Sequence, residues 1–255
     1  MKRWCSERSS KRGQLTIFVI IAVVVVIAII GYYLIEVGVG FGEIAGSEGV
    51  YGSVVDCLDY MGQSAVYVVS YQGGYNTAPE KNFDFSPTFF SYHYYEGEAM
   101  VPSIEMIEKE MGAFVDDNLG ACLDDIDSGG FEISYDVSDI DVEITKPGVN
   151  FVVDMPIVLT KGDDKMIVEL SELPVFVETK LYDIIEISRY FVDDLKEDPD
   201  YYCISCITSM AEEAGVKFYL FPVVDDVILV MAFEDEINPV SFNFVNKFNP
   251  SSEEQ

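Results

Sequence analysis

The stretch 13–33, GQLTIFVIIAVVVVIAIIGYY, most constrains what this chain can become. No charged residue lies between Arg12 and Glu36, and Val and Ile dominate the run. About 20 helical residues cross the ~30 Å hydrocarbon core of a bilayer. Five of the chain's 15 Lys/Arg precede the run (Lys2, Arg3, Arg8, Lys11 and Arg12), against one of its 45 Asp/Glu, Glu7. Basic flanks of membrane helices stay in the cytoplasm. The expectation is a cytoplasmic basic segment at 1–12, a transmembrane helix at 13–35 and an extracytoplasmic remainder. A cleaved signal peptide would have a shorter apolar core, about 7–15 residues, followed by a small-residue site. Here the run continues into Tyr32, Tyr33 and Leu34, with the tyrosines suited to the outer membrane interface.

The displayed part is strongly acidic, since it carries 44 of the 45 Asp/Glu against 10 of the 15 Lys/Arg. Such a surface repels phosphate backbones and anionic headgroups, which excludes a nucleic-acid role. Disorder does not follow, because apolar residues make up 49% of the chain and aromatics 13%. The acids read either as a solvated face or as an adaptation to high salt, which screens their self-repulsion.

Cys5 falls on the cytoplasmic side, while Cys57, Cys122, Cys203 and Cys206 fall outside, where disulfides persist. Four cysteines allow three pairings. The working expectation joins Cys57 to Cys122 and leaves Cys203 and Cys206 to each other. Two cysteines three apart within a regular helix would make a strained, easily reduced bridge.

The junction Lys11-Arg12-Gly13-Gln14, followed at once by the apolar run, resembles the class III signal of archaeal type IV pilins and related surface proteins. The resemblance covers the N-terminal segment alone. It implies processing between Gly13 and Gln14, and an apolar helix that holds the protein in the membrane and can pack into a filament core. Pilins commonly carry Glu at the fifth mature position, where this chain has Phe18, so the resemblance bears on processing more directly than on assembly. Together with the acidic exterior it points to an archaeal surface protein.

Beyond the membrane, 36–49 is a Gly-rich juncture, 50–248 an α+β domain and 249–255 a polar tail. Apolar residues at Tyr51, Val54, Val55, Leu58, Met61, Ala65, Val68 and Val69 have helical spacing, stopped by Gly73-Gly74. The segment 83–95 reads as a hairpin interrupted by Pro87. Ser103 caps a second amphipathic helix running to Cys122. From 131 to 177 short alternating runs predict an antiparallel sheet. Leu181, Ile184, Ile185, Ser188, Phe191, Val192 and Leu195 restore helical spacing. A last helix at 201–214, capped by Asp200, leads into a hairpin turning at Asp225-Asp226, and PVSFNFVNKF reads as an edge strand. The fold class is α+β: a mostly antiparallel sheet with packed amphipathic helices, on one N-terminal transmembrane helix.

Few residues carry chemistry. Cys203-Ile204-Ser205-Cys206 is a CxxC, suited to redox exchange or half a zinc site. No second CxxC accompanies it, and structural disulfides or buried thiols are the plainer reading. Asp125, Asp127 and Asp136, with Gly130, echo a calcium loop. Gly129 occupies its fifth position and Asp136 its twelfth, so a turn with solvated acids is the better account and no metal is expected. With acids this dense, paired carboxylates carry no information. His93, the sole histidine, sits among Tyr92, Tyr94 and Tyr95 and reads as part of an aromatic surface or core. The aromatics of 83–95 suit a binding surface, although packing onto a sheet is the commoner explanation for such residues.

The expected function is therefore a membrane-anchored surface protein with a non-catalytic binding or assembly role. The alternatives are a tethered thiol–disulfide protein using Cys203 and Cys206, then an extracellular hydrolase. The expected partners are the lipid bilayer and other surface proteins or further copies met through the transmembrane helix. No cofactor is expected.

Overall fold

The first described helix, α1 (Ser47–Tyr71), follows from its own stripe. Val50, Val54, Cys57, Leu58, Met61, Ala65 and Val69 recur every three or four residues and are buried. It begins inside the predicted Gly-rich juncture, so Gly49 is already helical. It stops through a hydrogen-bonded glycine pair, with the Gly73 N–H donating to Ser70 O (3.0 Å) and Gly74 N–H to Val69 O (2.8 Å). Gly73 is needed twice over. Its φ is +73°, and a Cβ there would run into Ser91 and the Asn243 carbonyl.

The computed structural model describes residues 47–136, 139–198, 203–224, 227–234 and 240–248. The predicted transmembrane helix and the Gly13-Gln14 junction lie outside them. Among the described residues no helix is long and apolar enough to cross a membrane.

Four α-helices and twelve strands are described, an α+β fold. Helix α2 (Ile104–Asp124) is capped by Ser103, whose Oγ accepts from Met106 N–H at 3.2 Å. Helix α3 (Leu181–Glu197) buries Leu181, Ile184, Ile185, Phe191, Val192 and Leu195, as its spacing predicts. Helix α4 (Ile204–Ala214) starts later than expected. Cys203, rather than Asp200, takes the cap position, with its Sγ accepting from Cys206 N–H at 3.2 Å.

The alternating runs become strands, but sort into two small sheets instead of one. Strands β4 (Glu132–Tyr135), β7 (Pro156–Lys161) and β8 (Asp164–Glu169) form the first, in order β4-β7-β8. Strands β5 (Asp139–Thr145), β6 (Gly148–Asp154) and β9 (Val175–Glu178) form the second, in order β5-β6-β9.

A six-stranded sheet gathers the rest. Strands β1 (Asn82–Phe85) and β2 (Thr88–Tyr95) make the expected hairpin, and the short β3 (Glu98–Ala99) pairs with β2. Strands β10 (Val216–Val224) and β11 (Val227–Glu234) make the second hairpin; its tip, Asp225-Asp226, is outside the described residues. The last strand, β12 (Ser241–Lys247), corrects the expectation of an edge. The order is β1-β2-β12-β11-β10, so β12 is interior, antiparallel to β11 and parallel to β2. Its polar residues are not solvent-facing: Asn243 and Asn246 are fully buried, and the Asn243 amide donates to Tyr71 O at 3.0 Å. One continuous core joins α1–α3 to these sheets, with Phe151, Phe191, Phe242, Phe244, Ile107 and Met111 essentially inaccessible. Each such side chain contributes about 1.5–3 kcal/mol on burial.

Candidate binding groove

The residues singled out by sequence do not converge. Cys57 on α1 and Cys122 on α2 stand at disulfide distance, Cα–Cα 6.1 Å, on the core side of both helices. Cys203 and Cys206 also stand at disulfide distance, Cα–Cα 5.2 Å, and both are half-buried. Cys203 precedes α4 with non-helical backbone (φ −79°, ψ 83°), which removes the premise of a bridge forced inside a regular helix. The Cys203 N–H donates to Asp194 Oδ2 of α3 at 2.8 Å, tying this turn to its neighbour.

Asp125 caps the end of α2, Asp127 accepts from Gly129 N–H at 3.2 Å in a tight turn, and Asp136 follows β4. Among the described residues no group of three His, Cys, Asp or Glu is placed to hold a metal ion. His93 is fully buried, stacked on Phe244 with ring centroids 4.2 Å apart. Its Nε2 lies 2.9 Å from Gly73 O, and a carbonyl can only accept, so Nε2 carries a proton. Burial pushes its pKa down to about 4, against a smaller upward pull from the Gly73 carbonyl. His93 thus joins Ser91, whose Oγ also donates to Gly73 O (3.0 Å), in fastening the end of α1.

The aromatics of the first hairpin divide. Phe90 and Tyr94 are buried and Phe85 is exposed, so packing accounts for the larger share.

An open concavity lies elsewhere, a groove of about 990 Å³ between α1, β9 and the adjoining ends of β11 and β12. One wall is the outer side of α1, where Tyr60, Tyr67 and Tyr71 fall seven and eleven residues apart and so share a face. Tyr60 is 64% exposed and Tyr67 54%, with Tyr67 stacked on Tyr71 at 6.2 Å. The opposite wall is Phe176 of β9, 54% exposed, followed by the carboxylate of Glu178. Met231 and Phe233 of β11 line it as well, and Gln63 and Ser64 set an amide and a hydroxyl between the tyrosines. Among the described residues no Lys, Arg, His or Cys lines this groove.

Glu234 is the groove's buried acid. Its Oε1 accepts from the Thr179 hydroxyl and from Lys180 N–H (2.7 Å), and Thr179 Oγ1 in turn accepts from Leu181 N–H at 3.2 Å. A carboxylate so placed satisfies the unpaired N–H groups at the start of α3 and complements its dipole. Glu234 is therefore committed to structure, and Glu178 is the groove's exposed acid.

None of these lining residues was singled out from sequence. The signal available was Tyr60, Tyr67 and Tyr71 repeating on the polar side of a helix whose other side is apolar. Phe176 and Phe233 join them only through tertiary contacts. Comparison with protein-family models, curated proteins and solved structures returns no match.

Proposed function

We propose that this chain is a single-pass, membrane-anchored surface protein, pilin-like at its N-terminus, whose acidic α+β unit works by binding or assembly rather than by catalysis. The observation that carries the binding role is the open groove. Its exposed side chains are aromatic, amide, hydroxyl and carboxylate, a set suited to ligand recognition. Anchoring and orientation rest on the uncharged run 13–35 and the five bases before it. The test places one epitope tag at each terminus and stains intact cells with antibody. The C-terminal tag is expected to stain and the N-terminal tag only after permeabilisation; the reverse pattern overturns the topology.

One observation favours a second reading, a thiol–disulfide protein. Cys203 caps α4 and is half-exposed, and a helix start favours the thiolate. In that reaction the Cys203 thiolate attacks a substrate disulfide and Cys206 resolves the mixed disulfide. The substrate leaves as a dithiol and the protein as a disulfide. Equilibration in glutathione buffers followed by alkylation and mass measurement tests it. A pair that stays oxidised across the physiological range rules it out.

A further inference from the structure

The groove's β9 wall has a property that its aromatic walls do not. Strand β9 is an edge: among the described residues it pairs with β6 and with no other strand. The Val177 carbonyl points toward β6, because a Cβ on Gly148 would strike it. In an antiparallel pair the flanking residues then turn their main-chain groups the other way, so Phe176 and Glu178 direct theirs away from β6. No backbone hydrogen bond to another described residue occupies them. An unpaired edge beside an aromatic-walled concavity is the geometry by which proteins accept an extended peptide, main chain pairing with the edge and side chains entering the flanking space.

Charge selects what that peptide carries. Among the described residues no base lines the groove, Glu178 stands exposed on its wall, and the chain's net charge is −30. Three half-exposed or more exposed rings, Tyr60, Tyr67 and Phe176, offer faces to a cation. An anionic ligand would find nothing to neutralise it, while a basic one is drawn in by the whole field.

We infer that the groove takes an extended, Lys- or Arg-bearing segment of another polypeptide, added as a strand to the free edge of β9. This rests on the surface-binding reading above, because the chain's own basic cluster, 1–12, lies across the membrane in that topology.

The experiment uses the full chain in detergent and measures fluorescence anisotropy of short labelled peptides. The first peptide alternates lysine and valine. The second has the same composition with its lysines in one block, and the third is the first N-methylated at every residue, so that neither edge can pair. Strand addition predicts that the alternating peptide binds at least about tenfold more tightly than either control, and that Phe176→Ala or Tyr67→Ala removes that advantage. Glu178→Lys should weaken the alternating peptide further while leaving the thermal transition in place. Equal binding of all three peptides would reduce the effect to diffuse attraction by an acidic surface and overturn the proposal. So would silence toward the peptides with saturable binding of a neutral oligosaccharide, which would make the aromatic walls a sugar platform. Peptide binding by purified protein does not depend on membrane topology. A negative result here therefore leaves surface display standing, and a reversed tag pattern leaves the binding result standing.

Discussion

The two sides of α1 are built to opposite ends. The inner side carries Val54, Cys57, Met61, Ala65 and Val69, closed against the core, and Gly62 sits so tightly that a Cβ would press on Val175 and Phe151. The helix's last turn is fastened there by Ser91, His93 and Asn243. The outer side carries Tyr60, Gln63, Ser64 and Tyr67, open to water. Leaving large rings exposed forgoes about 25 cal/mol for each Å² not buried. A helix that packs one side this closely has no structural need for tyrosines on the other, and the proposed binding role rests on this contrast.

The largest effect that would sharpen the contrast is on the inner side. Replacing Cys57 and Cys122 together by Ala should cost about 4 kcal/mol by the loop-entropy argument, the two lying 65 residues apart. Chemical denaturation reads this directly, and a loss near zero would mean the inner side is held by packing alone. Milder reduction should open the half-exposed Cys203–Cys206 pair before Cys57, only 4% exposed, which alkylation time courses would show.

Acid comes next. The folded pKa of His93, about 4, lies below its ordinary 6.5, so the unfolded chain takes up this proton first. The His93 contribution to stability is complete above about pH 6.5 and declines as pH falls toward 4, by about 3 kcal/mol in all. His93→Gln keeps an amide donor for Gly73 O and should flatten this window relative to the parent. Identical pH profiles would show that the histidine does not stay buried and neutral.

A smaller loss, about 2 kcal/mol, is expected for Glu234→Gln, which weakens charge-assisted hydrogen bonds to Thr179 and Lys180 at the start of α3. The smallest defines the other half of the comparison. Tyr60→Ala and Tyr67→Ala should change stability by less than ~0.5 kcal/mol. A cost of several kcal/mol for either would make the outer side structural and dissolve the contrast.

How much of this was legible in the sequence depends on the range of the interactions. Helices α1, α2 and α3 were readable because their apolar spacing is local, and Ser103 and Gly73-Gly74 mark ends by chemistry that needs no partner. The runs between 131 and 177 were readable as strands, but the split into two sheets depends on which strands meet, and alternation does not encode that. Strand β12 was misplaced for a specific reason. Asn243 and Asn246 look like solvent-facing residues, whereas the Asn243 amide faces the end of α1, 172 residues earlier. The groove was hidden likewise: its tyrosines are local to α1, but Phe176 and Phe233 arrive from strands distant in sequence.

The interior place of β12 also sets an order of events. Strand β2 has been made long before its parallel neighbour exists, and the Lys247–Tyr95 contact spans 152 residues. The hairpin β1–β2 and the α1–α2 pair can form from early chain. The six-stranded sheet cannot close until β12 has left the ribosome. Until then β2 and β11 each keep one side unpaired, and a nascent chain with two waiting edges needs protection from the edges of its neighbours. Closure of this sheet is thus timed by β12.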